Sequence, residues 1–328
     1  MARIAGVSSQ TVSRVIRNHD DVSVATRQRV EEAISSSGYV PNLTAANLAS
    51  NTSKLVATIV PSISTSVFSE TMAAASEVLA PEGYQLILGF TNYEPLREEE
   101  LVRNLLGRRP DGVFLIGVTH TENAVRMLKA SGIPVVETWG STPDPVDDLV
   151  GFSNEQAMYD LVSALTDQGY RRPTFAGSMV AGDHRAIERF DGYRRRFSEL
   201  FPGEPVRFVD ASDSALTFAS GEHLLGRAFE AYPDTDLLLF ATDILANGAI
   251  LAASRQGLSV PGDLAISGFG DFELSSALTP SLSTVSIRTR HMGEVAARML
   301  LERMASKSAV AGGRSVDIGY EITLRESS

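Results

Sequence analysis

Five histidines, forty carboxylates and no cysteine are the raw material for reactive chemistry in this 328-residue chain. His19, His120, His184, His223 and His291 are isolated, and none has a spacing such as HExxH that sets two imidazoles on one helix face around a metal. There is no GxSxG elbow and no GxxxxGK[ST] phosphate loop. "GFGDFE" (268–273) places two glycines near an acid but lacks the third glycine of a dinucleotide turn. The absence of cysteine removes disulfides and thiolate metal sites. No catalytic set assembles, so the chain reads as a non-enzyme that calls for no cofactor and no metal. A different chemistry is written in "AGVSSQTVSRVIRNHDDVS" (5–23). A helix end meets a glycine turn at Gly6, and a second helix opens at once with Ser8 as its N-cap. Two close helices across such a turn suggest a helix-turn-helix, whose second helix enters a DNA groove.

The elements that must carry this motif follow directly. Ser23 caps a helix with Val30, Ala33 and Ile34 on one face, and Gly38 is placed to end it. In "YVPNLTAANLAS" (39–50), Pro41 forces an extended lead-in and Asn42 caps one short polar helix with Leu43 and Leu48. That helix has too few apolar residues to stand alone and orders only when docked. From Leu55 the rhythm changes. Strand-like runs at 55–60, 84–90, 112–117, 134–137, 173–178, 206–210, 237–241 and 264–269 alternate with helical stretches at 68–83, 95–109, 122–131, 155–168, 186–201, 217–231 and 244–256. A late connection and helix (280–306) and one final strand (314–324) complete the chain. Near-continuous apolar strands alternating with helices specify parallel sheets covered on both faces. So long a stretch exceeds one ordinary sheet, which implies two α/β lobes.

Composition sets the outer limits. The hydrophobic fraction of 43% supports sizeable cores. No charged segment followed by an apolar run reads as a signal peptide, and "LLLFATDILANGAILAA" (237–253) is interrupted by Asp243 and Asn247, so it reads as a buried strand and helix. The chain is expected to be soluble and cytoplasmic, with no membrane partner. Net charge is −11, which by itself opposes a nucleic-acid partner, but it is unevenly spread. Residues 1–54 carry +2 and the remainder −13, as suits a small DNA-facing head on an acidic body.

"AGVSSQTVSRVI", "VSVATRQRV" and "GYVPNLTAANLAS", in that order and spacing, resemble the LacI family of transcriptional repressors. The α/β body resembles that family's sugar-binding core through to the C-terminus. "PSISTSVFSETM", "GYQLIL", "AGSMVAGDHRAIERFDGY" and "SVPGDLAISGF" look most like its gluconate-type members. The resemblance implies an α/β fold in three parts: a helix-turn-helix headpiece (1–38), a hinge helix and linker (39–54), and a bilobed core like type I periplasmic binding proteins (55–328). That core is made of two doubly wound parallel sheets. It also implies roles. Ser9, Gln10 and Arg14 occupy positions that face base edges, where Gln suits adenine and Arg suits guanine. Ser8, Thr11, Ser23, Thr26 and Asn42 fit phosphate contacts. Val12, Val15 and Ile16 belong to the headpiece core, and Leu48 matches the hinge leucine that wedges into the minor groove. Paired hinge helices imply a homodimer on a pseudo-palindromic double-stranded operator.

For the small-molecule effector, the family's cleft between the lobes points to Phe68, Trp139, Asp183, Arg185, Arg189, Asp243 and Asp271. A guanidinium at Arg185 suits a carboxylate, the aromatics suit the carbon face of a polyol, and Asp183 and Asp243 suit its hydroxyls. This combination favours a sugar acid such as gluconate, bound by a repressor of carbohydrate-utilisation genes. Two departures bear on the ligand: Gly270 and Ser153 stand where relatives often carry Asp. A neutral sugar or a nucleoside is the alternative effector, and a solute-binding protein without DNA function is a remoter reading. Relatives also begin their first helix several residues earlier, with an aspartate–valine pair leading into "ARIAGVS". Met1 stands where that valine is expected, which suggests a GTG codon read as a start and a first helix clipped at its front.

Overall fold

The computed structural model describes residues 1–16, 21–40, 52–63, 66–179, 182–211, 216–306 and 313–328. The chain forms two compact units, Met1–Lys54 and Leu55–Ser328. The hinge helix expected around Asn42 and Leu48 lies outside the described residues.

In the first unit, α1 (Ala2–Ala5), α2 (Ser9–Ile16) and α3 (Val24–Ser37) enclose a small apolar centre. Ala5, Val12, Val15, Val30 and Ala33 are buried, with Ile16 and Ile34 packed at their edge. The i, i+3, i+4 spacing of each set puts its side chains on one helix stripe, which is why these short helices find each other. Gly6 closes α1 at φ 65° and Gly38 closes α3 at φ 64°, left-handed backbone in which a Cβ is strained. Ser23 accepts a hydrogen bond from the Thr26 amide and Ser8 one from the Thr11 amide, so both serines cap as the sequence implies.

The second unit has two lobes. In the first, β1 (Leu55–Val60), β2 (Gln85–Phe90), β3 (Gly112–Ile116), β4 (Val135–Thr138), β5 (Asp148–Gly151) and β11 (Ser315–Asp317) form a sheet ordered β11-β5-β4-β3-β1-β2. Every pairing in it is parallel. Strand alternation feeds both faces. Ala57, Ile59, Val113, Leu115 and Val135 meet α5 (Pro95–Leu106) and α6 (Glu122–Ser131). Val56, Val60, Phe114, Ile116 and Val136 meet α4 (Ser69–Leu79) and α12 (Thr289–Ala305).

The second lobe repeats the plan with β6 (Pro173–Gly177), β7 (Phe208–Asp210), β8 (Leu237–Phe240) and β9 (Ala265–Ser267), ordered β7-β6-β8-β9 and parallel throughout. Its faces are covered by α7 (Asn154–Asp167) with α8 (His184–Leu200), and by α9 (Phe218–Ala231) with α10 (Asp243–Gln256). A short α11 (Glu273–Ala277) leads to β10 (Thr284–Ile287), which pairs antiparallel with β12 (Tyr320–Thr323).

Three details differ from the sequence reading. The segment 314–324, expected as one strand, is two: β11 joins the first sheet, and the chain turns at Gly319 (φ 63°) so that β12 pairs with β10. A single strand cannot serve two sheets, so the crossing breaks it. β5 was not expected, since the run "DLVG" begins with an acid; Asp148 is buried there against Arg303 and Arg314. β10 lies inside the segment expected only as a connection.

Candidate functional site

The headpiece offers a polar helix face. Ser9, Gln10 and Arg14 are all exposed on α2, opposite the buried Val12 and Val15. Arg14 Nη1 lies 3.1 Å from Asp21 Oδ2, with both side chains about half exposed, so its charge is only lightly held. Ser8 and Thr11 share a hydroxyl hydrogen bond of 2.9 Å, and Ser23 donates to Thr26 Oγ1 at 2.9 Å. These four hydroxyls therefore surround the N-termini of α2 and α3, where free backbone amides and the helix dipole favour an anion. Asn42 and Leu48 lie outside the described residues.

In the core unit, the C-terminal ends of the strands of both lobes face one another, the place where open α/β sheets take ligands. A hollow there is lined by Phe68, Tyr93 and Trp139 of the first lobe and Ser178, Asp183, Arg185, Arg189 and Thr242 of the second. Five of the seven residues named from sequence are thus brought together. Trp139 is buried, stands edge-on to Phe68 at 5.0 Å, and donates its indole N–H to Thr71 Oγ1. Its backbone is left-handed (φ 68°), as is that of Tyr93 (φ 63°), a strain concentrated where the walls of the hollow need it. Arg185 Nη2 is 3.4 Å from Asp183 Oδ1, a long contact, and the guanidinium lies 5.0 Å from the Phe68 ring centroid. Arg189 is fixed more firmly. It donates to Asn154 Oδ1 and to the Ala241 carbonyl, and it covers the Phe269 ring at 3.9 Å.

The electrostatics of the hollow are those of a dry site. Burial pulls the Arg189 guanidinium down to about 10, still cationic at neutral pH. Burial, and then the Asp183 carboxylate, push the Tyr93 phenol up to about 12, so it remains a neutral donor. Burial also raises the Glu188 carboxyl. The Arg185 and Arg189 guanidiniums therefore share the wall of the hollow with one carboxylate, that of Asp183.

Two named residues stand elsewhere. Asp243 is fully buried, and its carboxylate accepts from Thr284 Oγ1 (2.6 Å), Ser275 Oγ (2.8 Å) and the Phe272 amide (3.0 Å). Its oxygens tie α10 to α11 and β10 rather than lining the hollow. Asp271 forms a 2.7 Å ion pair with Arg325. Tyr93, Ser178 and Thr242 line the hollow but were not named from sequence. The signal was present for two of them, since Ser178 ends one strand-like run and Thr242 directly follows another, where ligand loops begin. Gly182 packs on the Tyr93 carbonyl so closely that a Cβ would overlap it, and the two lobes touch there through backbone.

A helix-turn-helix unit on the same chain as a two-lobed α/β core with a hollow between the lobes defines a DNA-binding regulator with a periplasmic-binding-protein-like core. Residues 1–42 match the bacterial regulatory proteins of the lacI family, and residues 162–328 match the periplasmic binding protein-like domain. The HTH-type transcriptional regulator GntR of Pseudomonas aeruginosa is 35% identical over 100% of this chain and 94% of its own length. A LacI-family transcriptional regulator from Silicibacter pomeroyi superposes with a TM-score of 0.91 at 36% identity, covering 99% of this chain and 97% of that one. The lac repressor dimer bound to operator and an anti-inducer gives a TM-score of 0.81 at 25% identity, covering 99% and 97%. The chain belongs to the LacI family and is a DNA-binding transcriptional repressor of that family. The relatives compared with it are transcriptional regulators. Among the described residues no helix is long and apolar enough to cross a membrane.

Proposed function

We propose that this protein represses carbohydrate-utilisation genes in the cytoplasm and releases its operator when a sugar acid, gluconate or a near relative, binds between the lobes. The observation that carries the reading is Arg185, a buried guanidinium held only loosely by Asp183 on the wall of the hollow. Its planar donors suit a carboxylate bidentately, and the low dielectric around it strengthens the pairing. Phe68 and Trp139 would cover the carbon face of the ligand. The similarity to regulators called GntR supports the same choice. A neutral sugar or nucleoside would share the aromatic wall but leave Arg185 with only its long contact to Asp183.

On the DNA side, Ser9, Gln10 and Arg14 would read base edges, while Ser8, Thr11, Ser23 and Thr26 would fix register on phosphates. Asn42 and Leu48 would act from the hinge. Two copies of the chain would meet the two halves of a pseudo-palindrome. Effector binding favours one arrangement of the lobes, and operator affinity changes to the extent that the arrangements differ in both affinities. Calorimetry of the full chain tests the ligand. Gluconate should bind and glucose should not, and Arg185→Ala should weaken gluconate by about 10- to 100-fold, the worth of a charge-assisted hydrogen bond. Binding of glucose with no heat from any acid would remove the sugar-acid reading.

A further inference from the structure

Hydroxyl recognition in the cleft was assigned above to carboxylates, yet the Asp243 carboxylate is satisfied inside the fold and does not line the hollow. Of the two carboxylates only Asp183 stays on the second lobe's wall, where it is shared with Arg185, so the other groups of that wall are open as further readers of the polyol. Three buried hydroxyls have no hydrogen-bond partner among the described residues: Thr58, Ser178 and Ser267. Thr58 lies within β1 and Ser267 within β9, away from the lining of the hollow. Ser178 is on that lining, only 4% exposed, with its Oγ unpaired. A buried hydroxyl left unpaired is costly, so an orphan on a residue that lines the hollow is explained by a partner that arrives with the ligand.

The strand pairing places a second hydroxyl beside it. β6 and β8 are parallel neighbours with Ala176 opposite Phe240, and two residues further along each chain stand Ser178 and Thr242. Thr242 also lines the hollow, and its side chain makes no capping bond to α10. Neutral hydroxyls both donate and accept, whereas a carboxylate only accepts. They can therefore pair with a ligand hydroxyl without adding negative charge to a cleft that must hold an anion.

We propose that Ser178 is a specificity-determining residue whose Oγ hydrogen-bonds one hydroxyl of the sugar-acid effector, with Thr242 beside it on the neighbouring strand end. The assignment rests on the sugar-acid reading of the cleft. Full-length protein and its Ser178→Ala variant are titrated calorimetrically with gluconate and with gluconates lacking one hydroxyl each, and melting temperatures are recorded for both. The variant should bind gluconate about 5- to 10-fold more weakly. One deoxy analogue should bind both proteins equally, because the contacted oxygen is already missing. Ser178→Cys, which keeps the volume and weakens the bond, should show the same analogue selectivity to a smaller degree. Unchanged gluconate affinity in the variant overturns the assignment, and so does an equal loss against every analogue. Failure of the unmutated protein to bind any acid overturns the reading beneath it as well, and appears before any variant is made.

Discussion

Arg14 is held by Asp21 through an exposed pair, and this sets what each can do on DNA. Such a pair is worth roughly 0–1 kcal/mol, so a guanine edge or a phosphate can draw the guanidinium away at little cost. Arg14→Ala should weaken operator binding by about 1–3 kcal/mol and relax base preference at one position of each half-site. Asp21→Asn should tighten binding modestly, since it frees Arg14 and removes a negative charge near phosphates. Fluorescence anisotropy against a matched set of duplexes checks both, and uniform weakening across all sequences by Arg14→Ala would make it a phosphate contact instead. At this scale the sequence was legible where partners are local. Ser8 and Ser23 cap helices three residues away, and both could be named from spacing. Asp243 could not be placed, because its partners Thr284 and Ser275 are distant in sequence and meet it only in the fold. Its neighbour Thr242 took the lining position one residue earlier.

Among the elements of the first lobe, β4 and α5 are joined by His120. Its Nδ1 is 2.7 Å from Glu98 of α5 and its Nε2 is 3.2 Å from Glu137 of β4, with only 3% of the side chain exposed. Burial opposes the charged ring, but the hydrogen bonds and charges of Glu137 and Glu98 together outweigh it and raise the imidazole to about 9. A raised histidine contributes stability that is fully present below the unfolded value of about 6.5 and is lost as pH climbs through the folded value. Stability should therefore decline between pH 6.5 and 9 by on the order of 2–3 kcal/mol, read as a falling melting temperature. His120→Gln should be less stable at pH 6.5 and should flatten that decline; an unaltered pH profile would remove the clamp. Sequence showed His120 only as an isolated residue, because Glu98 and Glu137 come from separate elements. The same limit hid β5 and the break at Gly319: strands defined by their sheet partners cannot be recognised from their own short runs. The longer strands and helices were legible because alternation and helical spacing carry their own signal.

The whole chain couples a headpiece unit to an acidic two-lobed core, and its charge is divided accordingly, +2 over residues 1–54 against −13 over the rest. That division, the alternation of the longer strands and helices and the two-lobed plan were legible from sequence, since they depend on periodicity and composition rather than on contacts. The backbone contact between the lobes beside the cleft was not, because the approach of Gly182 to the Tyr93 carbonyl joins segments far apart in sequence. The central claim is a linkage between that cleft and DNA: one ligand class, recognised by charge, lowers operator affinity. The direct measurement is the affinity of the full-length protein for a palindromic duplex it has itself selected from a random pool, taken alone, with saturating gluconate and with glucose. The account predicts a fall of at least about 10-fold with gluconate, a coupling of roughly 1.4 kcal/mol or more, and no change with glucose. Equal affinity in the presence and absence of gluconate, or an equal fall with glucose, would contradict it.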